Sequence, residues 1–181
     1  MKYMGLDKQE NKKKIGILGG TFDPAHKGHL SISKEAKKRF GINKIIWAVT
    51  KKNPFKVKSS LSLDKRMKYA KKITQNNLFI KVKYFEDKIK SNRTIDLIKN
   101  IKKNNKNTDI YFLMGADSLI NFHKWKSSDL ISSICNILVF DRDRYKAKSL
   151  DSVSFKKYNK KSIKFVEFNK VNISSSKLRK I

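Results

Sequence analysis

Short apolar runs recur along this chain at Ile15 to Leu18, Lys44 to Val49, Phe79 to Tyr84, Asp109 to Met114 and Cys135 to Phe140, with a later one at Ile163 to Phe168. Each has the length of a strand, and the stretches between them carry apolar residues at helical spacing instead. Leu30, Ser33, Ala36 and Phe40 share one helical face, as do Leu63, Met67, Ala70 and Ile73, and as do Leu97, Ile98 and Ile101. The order reads β-α-β-α-β-α-β-α-β. Strands joined through crossover helices run parallel with right-handed connections, and such a sheet is covered on both faces. The pattern predicts a Rossmann-like, doubly wound α/β domain, a parallel sheet of about five strands with helices on both faces.

A chain of 181 residues suffices for one such domain. The pattern places it over residues 14–181, behind a polar N-terminal tail over residues 1–13. Tyr145 to Ser162, polar and rich in Lys and Ser, reads as a long surface loop or short helix. No run approaches the roughly eighteen apolar residues of a membrane span, and Ile15 to Leu18 is too short for a signal peptide. Cys135 is the single cysteine and can form no internal disulfide, which fits a reducing compartment and a packing role. These features predict a cytoplasmic protein with no membrane partner.

Lys and Arg exceed Asp and Glu by 44 − 15 = 29. Such a charge attracts any polyanion without choosing among them. The lysines are spread along nearly the whole chain rather than gathered in one arm, so the charge reads as a solvated basic surface, with no specific nucleic-acid partner.

In a doubly wound sheet ligands bind beyond the carboxyl ends of the strands, which directs attention to Gly19 to His29, Thr50 to Ser60, Gly115 to Trp125 and Asp141 to Tyr145. The first of these reads Gly19-Gly20-Thr21-Phe22-Asp23-Pro24-Ala25-His26-Lys27-Gly28-His29 and runs straight into a helical pattern. Paired glycines let a backbone approach a phosphate, and the helix start offers unpaired N–H groups and a positive dipole end. The loop lacks both Gly-x-Gly-x-x-Gly and Gly-Lys-Ser/Thr, which disfavours dinucleotide oxidoreductases and P-loop kinases. His26 and His29, three apart, can both donate to phosphate oxygens and stabilise charge building on phosphorus. Three His and one Cys are too few for a zinc site of the usual kind, so no protein-held metal is expected.

Gly-Gly-Thr-Phe-Asp-Pro-x-His-x-Gly-His after a first strand resembles the signature of the nucleotidyltransferase superfamily that carries the His-x-Gly-His motif. A second match lies at Ile173-Ser174-Ser175-Ser176-Lys177-Leu178-Arg179, which is similar to the superfamily's Ile-Ser-Ser-Thr-x-Ile-Arg, with Ser176 for Thr and Leu178 for Ile. Hydroxyls at a helix start can grip phosphate, and an arginine one turn on can fork onto the same oxygens. Met114-Gly115-Ala116-Asp117-Ser118-Leu119, followed by Phe122-His123-Lys124-Trp125, resembles the Gly-x-Asp-x-Leu…Phe…Trp stretch of the bacterial nicotinate-nucleotide adenylyltransferase family. In the middle of the chain the matches are looser. Phe55 departs from a Pro-Pro-His-Lys loop, Arg66 and Met67 fit a helix start, and Glu86, Thr94 and Asp96 fit a pattern in which Arg93 and Leu97 are departures.

The resemblance implies transfer of AMP from ATP to nicotinate mononucleotide, giving deamido-NAD and pyrophosphate. It implies catalytic roles for His26, His29 and Arg179. ATP would be bound by Gly19, Gly20, Thr21, Phe22, His26, His29, Asp117, Ile173, Ser174, Ser175 and Arg179. Nicotinate mononucleotide would be bound by Lys56, Thr94, Trp125 and Arg142, with Trp125 stacked on the pyridine ring. Mg²⁺ would arrive on the phosphates of ATP. The alternatives are a nicotinamide mononucleotide or phosphopantetheine acceptor within the same superfamily, or a basic nucleic-acid-binding module. Homo-oligomerisation is left open.

Overall fold

The computed structural model describes residues 12–52, 59–142 and 144–167. Its sheet is built from β1 (Lys13–Gly20), β2 (Lys44–Val49), β3 (Ile80–Tyr84), β4 (Thr108–Gly115), β5 (Asn136–Phe140) and β6 (Ile163–Val166). Every pairing is parallel, in the spatial order β3-β2-β1-β4-β5-β6. That is the doubly wound order, and the topological switch lies between β1 and β4. The described residues therefore form six strands rather than about five. The apolar run beginning at Ile163 pairs with β5, Ile137 opposite Ile163, and extends the sheet by one.

The helices are α1 (Lys27–Phe40), α2 (Leu63–Thr74), α3 (Glu86–Ile89), α4 (Thr94–Lys103), α5 (Ala116–Leu119), α6 (Ser128–Ile134), α7 (Lys146–Leu150) and α8 (Val153–Tyr158), with a 3₁₀ turn over Phe122–Lys124. Tyr145 to Ser162, expected as a loop or one short helix, thus holds two short helices. Gly41 closes α1 in the left-handed conformation, φ 64°, with its N–H donating to the Lys37 carbonyl at 3.1 Å. A glycine takes that geometry without the penalty a Cβ would bring.

Alternation along the strands divides the core into two layers. Ile15, Ile17, Ile46, Ala48, Ile110, Phe112, Ile137 and Val139 face α4, α6 and α8, where they meet Ile95, Ile98, Ile101, Ile131 and Tyr158. Leu18, Ile45, Trp47, Val49, Leu113, Leu138 and Phe140 face α1 and α2, where they meet Ala36 and Ala70. Cys135 is buried and its thiol lies within 3.2 Å of the Ile131 carbonyl. Burial pushes that thiol up to about 12, so it stays protonated and packs as a small apolar group.

Gly16 sits on the α1 side of β1, where a Cβ would stand 3.1 Å from Ile45 Cγ1 and 3.1 Å from Leu113 Cδ1. The missing side chain lets those neighbouring strands' residues close over β1. A Gly16→Val substitution is expected to overpack this layer by about 1–3 kcal/mol. The loss would read in thermal unfolding as a midpoint lower by about 2–4 °C for each kcal/mol. An unchanged midpoint would show that Ile45 and Leu113 are not held at these distances.

Candidate active site

Because all strands run parallel, Gly20, Val49, Tyr84, Gly115 and Phe140 end on one edge of the sheet, and the loops beyond them share one rim. The loop after β1 is supported from below. Phe22 takes φ 48°, which turns its ring into the core, where it is 1% exposed and stacks on Trp47 at 5.0 Å with 13° between planes. Any contact of Phe22 with a nucleotide would therefore come through its backbone. The Trp47 indole N–H donates to Ser33 Oγ at 2.9 Å, and that hydroxyl donates to the His29 carbonyl at 2.9 Å. The core thus grips the first turn of α1.

His26 is the N-cap of α1, in extended conformation, and its Nδ1 accepts the Gly28 backbone N–H at 3.1 Å. His29 Nδ1 accepts the His26 backbone N–H at 3.1 Å. A backbone N–H can only donate, so in each neutral ring Nδ1 is the acceptor and the proton resides on Nε2. The two rings lie 3.8 Å apart between centroids. The sequence therefore builds a pair of imidazole N–H donors at a helix N-terminus, where the dipole already favours an anion.

Across the rim, Asp117 in α5 receives a charge-assisted bond from Arg142, Nη1 to Oδ2 at 2.6 Å, with both side chains partly exposed. Arg142 follows the end of β5, which pairs in register with β4 so that Gly115 lies opposite Phe140. A Cβ on Gly115 would stand 2.5 Å from Asp117 Oδ1, so a side chain there would push that carboxylate from its place beside Arg142. Trp125 follows the 3₁₀ turn half-buried, edge-on to Phe122 at 5.5 Å and to Phe112 at 6.0 Å. Its segment is tied down by Ser154 Oγ, which lies 2.9 Å from both the His123 backbone nitrogen and His123 Nδ1. Thr94 opens α4, behind a turn in which Ser91 Oγ donates to Asp96 at 2.6 Å.

The structure thus brings Gly19 and Gly20, at the end of β1, together with Thr21, His26 and His29 in the loop and helix start that follow, at the switch point, with Asp117 and Arg142 at the adjoining strand ends. Lys56, Ile173, Ser174, Ser175 and Arg179 lie outside the described residues.

Three further charged residues, outside the set that the sequence assigns to substrate binding, lie beneath the rim. Asp23, 1% exposed, accepts from Ser60 N at 2.6 Å, from Ser60 Oγ and from Leu61 N at 3.2 Å. Arg66, 2% exposed, donates to the carbonyls of Leu61, Thr21, Thr50 and Lys51 at 3.1, 2.6, 2.8 and 3.2 Å. Burial lowers its affinity for the proton, and the charges of Asp23 and Glu86 oppose that shift. Glu86 accepts from the Thr50 hydroxyl and from Lys51 N at 3.2 Å. The signal in the sequence was a charged residue on an apolar helix face: Arg66 shares its side of α2 with Ala70 and Thr74, both buried.

Comparison with known proteins agrees with this geometry. The profile of the cytidylyltransferase-like family matches residues 17–181. A protein of Pelagibacter ubique named "Probable nicotinate-nucleotide adenylyltransferase" is 60% identical over 172 residues, 95% of each chain. One of the same name from Clostridium tetani is 36% identical over 148 residues, 80% of this chain and 72% of that one. Among solved structures, the Plasmodium falciparum nicotinic acid mononucleotide adenylyltransferase complexed with NaAD superposes with a TM-score of 0.75, at 24% identity. The match covers 93% of this chain and 83% of that one, and it speaks for the fold. The six-stranded doubly wound sheet, the two-histidine loop at its switch point and these relatives together place the chain in the cytidylyltransferase-like family of nucleotidyltransferases, on the nicotinate-nucleotide adenylyltransferase branch.

Proposed function

We propose that this chain transfers the adenylyl group of ATP to nicotinate mononucleotide, giving deamido-NAD and pyrophosphate. The observation that carries the reading is the 60% identity over 95% of both chains to the Pelagibacter ubique protein of that name. The switch-point loop with its paired Nε2–H donors supplies the chemistry.

An oxygen of the mononucleotide phosphate attacks the α-phosphorus of ATP in line. The new P–O bond forms as the bond from the α-phosphorus to the bridging oxygen breaks, and pyrophosphate leaves with that electron pair. The nucleophile is already an anion at neutral pH, so no general base is required. Catalysis then rests on positioning and on neutralising charge that builds on the phosphoryl oxygens. By resemblance His29 faces the α-phosphate and His26 the β side, with Ser174, Ser175 and Arg179 on the β and γ groups. Asp117 belongs to the nucleotide side, while Lys56, Thr94, Trp125 and Arg142 belong to the acceptor. Among the described residues no three His, Cys, Asp or Glu side chains cluster. In this reading Mg²⁺ reaches the site on the nucleotide, as MgATP, carried on phosphate oxygens and water. Among the described residues no helix is long and apolar enough to cross a membrane. The reading places the reaction in the cytoplasm, where a thiol such as the buried, free Cys135 stays reduced.

Two measurements test this reading. Pyrophosphate release with MgATP is expected to be strongest with nicotinate mononucleotide when nicotinamide mononucleotide and phosphopantetheine are offered in parallel. His29→Ala should lower kcat by about 10²–10³-fold while the circular dichroism spectrum is retained. Preference for another acceptor would move the chain to a different branch, and an unimpaired His29→Ala would remove that residue from the mechanism. The second measurement is salt dependence. A net charge of +29 draws in anionic substrates over distances that salt screens. Thus kcat/KM for MgATP should fall as salt rises while kcat holds. A flat kcat/KM would mean that the charge plays no part in substrate capture.

A further inference from the structure

Arg66 is a buried guanidinium bonded almost wholly to backbone. Its four acceptors come from three segments: Thr21 in the loop after β1, Thr50 and Lys51 after β2, and Leu61 before α2. Two carboxylates complete the arrangement. Asp23, two residues past Thr21, holds Ser60 and Leu61 from the side of the histidine loop. Glu86, past the end of β3, holds Thr50 and Lys51 from the opposite side. The loops after β1, β2 and β3 are thereby stitched together beneath the rim by one cation and two anions. His26 lies three residues beyond Asp23 in the stitched loop.

We propose that Arg66, with Asp23 and Glu86, is a positioning clasp for the transfer reaction. It fixes the height and angle of the two-histidine loop relative to the acceptor-side loops, and so sets the line of attack. The proposal rests on the adenylyl-transfer reading above. Arg66 touches no reacting atom and acts through the carbonyl of Thr21 and the loop leading to His26. A planar fork satisfies four carbonyls spread over three segments, whereas an ammonium on a flexible stem offers three donors from one point. Arg66→Lys therefore keeps the charge and loses the geometry. Because ground-state binding draws on many other contacts while in-line attack depends on relative placement, the clasp should act on kcat more than on KM.

The test compares wild type, Arg66→Lys and Glu86→Gln, with Lys65→Met on the exposed face of α2 as a control. For each, the folded fraction is first fixed by circular dichroism and urea unfolding, and kinetics are expressed per folded molecule. The expected result is a loss of at least tenfold in kcat for Arg66→Lys and a smaller loss for Glu86→Gln. KM for MgATP and for nicotinate mononucleotide should shift less than threefold, and Lys65→Met should match wild type. A second readout needs no turnover. The chain has three histidines, so long-range ¹H–¹⁵N spectra can resolve each ring. In wild type His26 and His29 should show the Nε2–H tautomer, and in Arg66→Lys those two should drift toward a mixture while His123 stays put.

A purely structural Arg66 would lower stability and leave both per-molecule kcat and the histidine signals alone. That result, in folded Arg66→Lys and Glu86→Gln alike, overturns the proposal. If Arg66→Lys fails to fold, Glu86→Gln alone decides by the same criteria. Failure of the underlying reading looks different, because wild type would then be inactive with nicotinate mononucleotide, and the histidine spectra would still decide the clasp.

Discussion

Parallel pairing of β1 with β2 on one side and β4 on the other is the constraint from which the rest of the structure follows. A parallel neighbour cannot be reached by a hairpin, so each strand must be followed by a crossover, and every crossover leaves from the same rim of the sheet. At β1 the chain turns outward in opposite directions, toward β2 and β3 in the first half and toward β4, β5 and β6 in the second. A crevice opens where the crossovers part, and the loop after β1 is the one that lies there. No separate device is needed to bring Gly19, Gly20, His26 and His29 to the crevice. Gly16, by letting Ile45 and Leu113 close over β1, belongs to the same constraint.

What topology does not supply is precision. A loop of six residues between Gly20 and Lys27 could adopt many arrangements, yet its histidines require a definite one. The chain fixes it by pinning successive residues to different supports: Thr21 through its carbonyl to Arg66, Phe22 through its ring to Trp47, and Asp23 through its carboxylate to Ser60 and Leu61. His26 and His29 are then fixed by each other's backbone neighbourhood, as both Nδ1 atoms accept main-chain N–H groups. These contacts use buried polar and charged groups, which are costly to bury unless fully partnered. The four carbonyls around Arg66 and the three N–H or O–H donors around Asp23 supply that partnering.

The strands could be read from the sequence because two-faced burial leaves continuous apolar runs, and Lys44 to Val49 matches β2 residue for residue. Helices α1, α2 and α4 were legible from their apolar faces, and the histidine loop from its glycines and its position after the first strand. The sixth strand was visible as a run but not as a sheet member, since pairing with β5 is a long-range event that periodicity does not encode. Helices α7 and α8 are too short, and too rich in Lys and Ser, for a clear 3.6-residue signal. The clasp was the least legible part. Arg66 gains its meaning from carbonyls at positions 21, 50, 51 and 61, and a carbonyl leaves no mark in the sequence. Only the oddity of an arginine on the buried face of α2 pointed to it.

That oddity is sharper in this chain than it would be elsewhere. The chain has 44 basic residues, and only six are arginine, at positions 39, 66, 93, 142, 144 and 179. Lysine serves on a solvated surface, where its stem covers apolar ground and its head stays in water, or rests on an aromatic face as Lys37 Nζ does 5.2 Å from the Phe79 ring centroid. It serves poorly where a cation must be buried or must bond in a fixed plane, because the ammonium is strongly hydrated and carries no directional fork. Arg66, buried among four carbonyls, and Arg142, paired with Asp117 at the rim, occupy positions of the second kind. In a composition that defaults to lysine, a buried arginine, or one bonded in a fixed plane at the rim, marks a geometric requirement. Arg66, through the Thr21 carbonyl, and Arg142, through Asp117, both act on loops beside the switch point, where geometry decides whether two phosphates can meet in line.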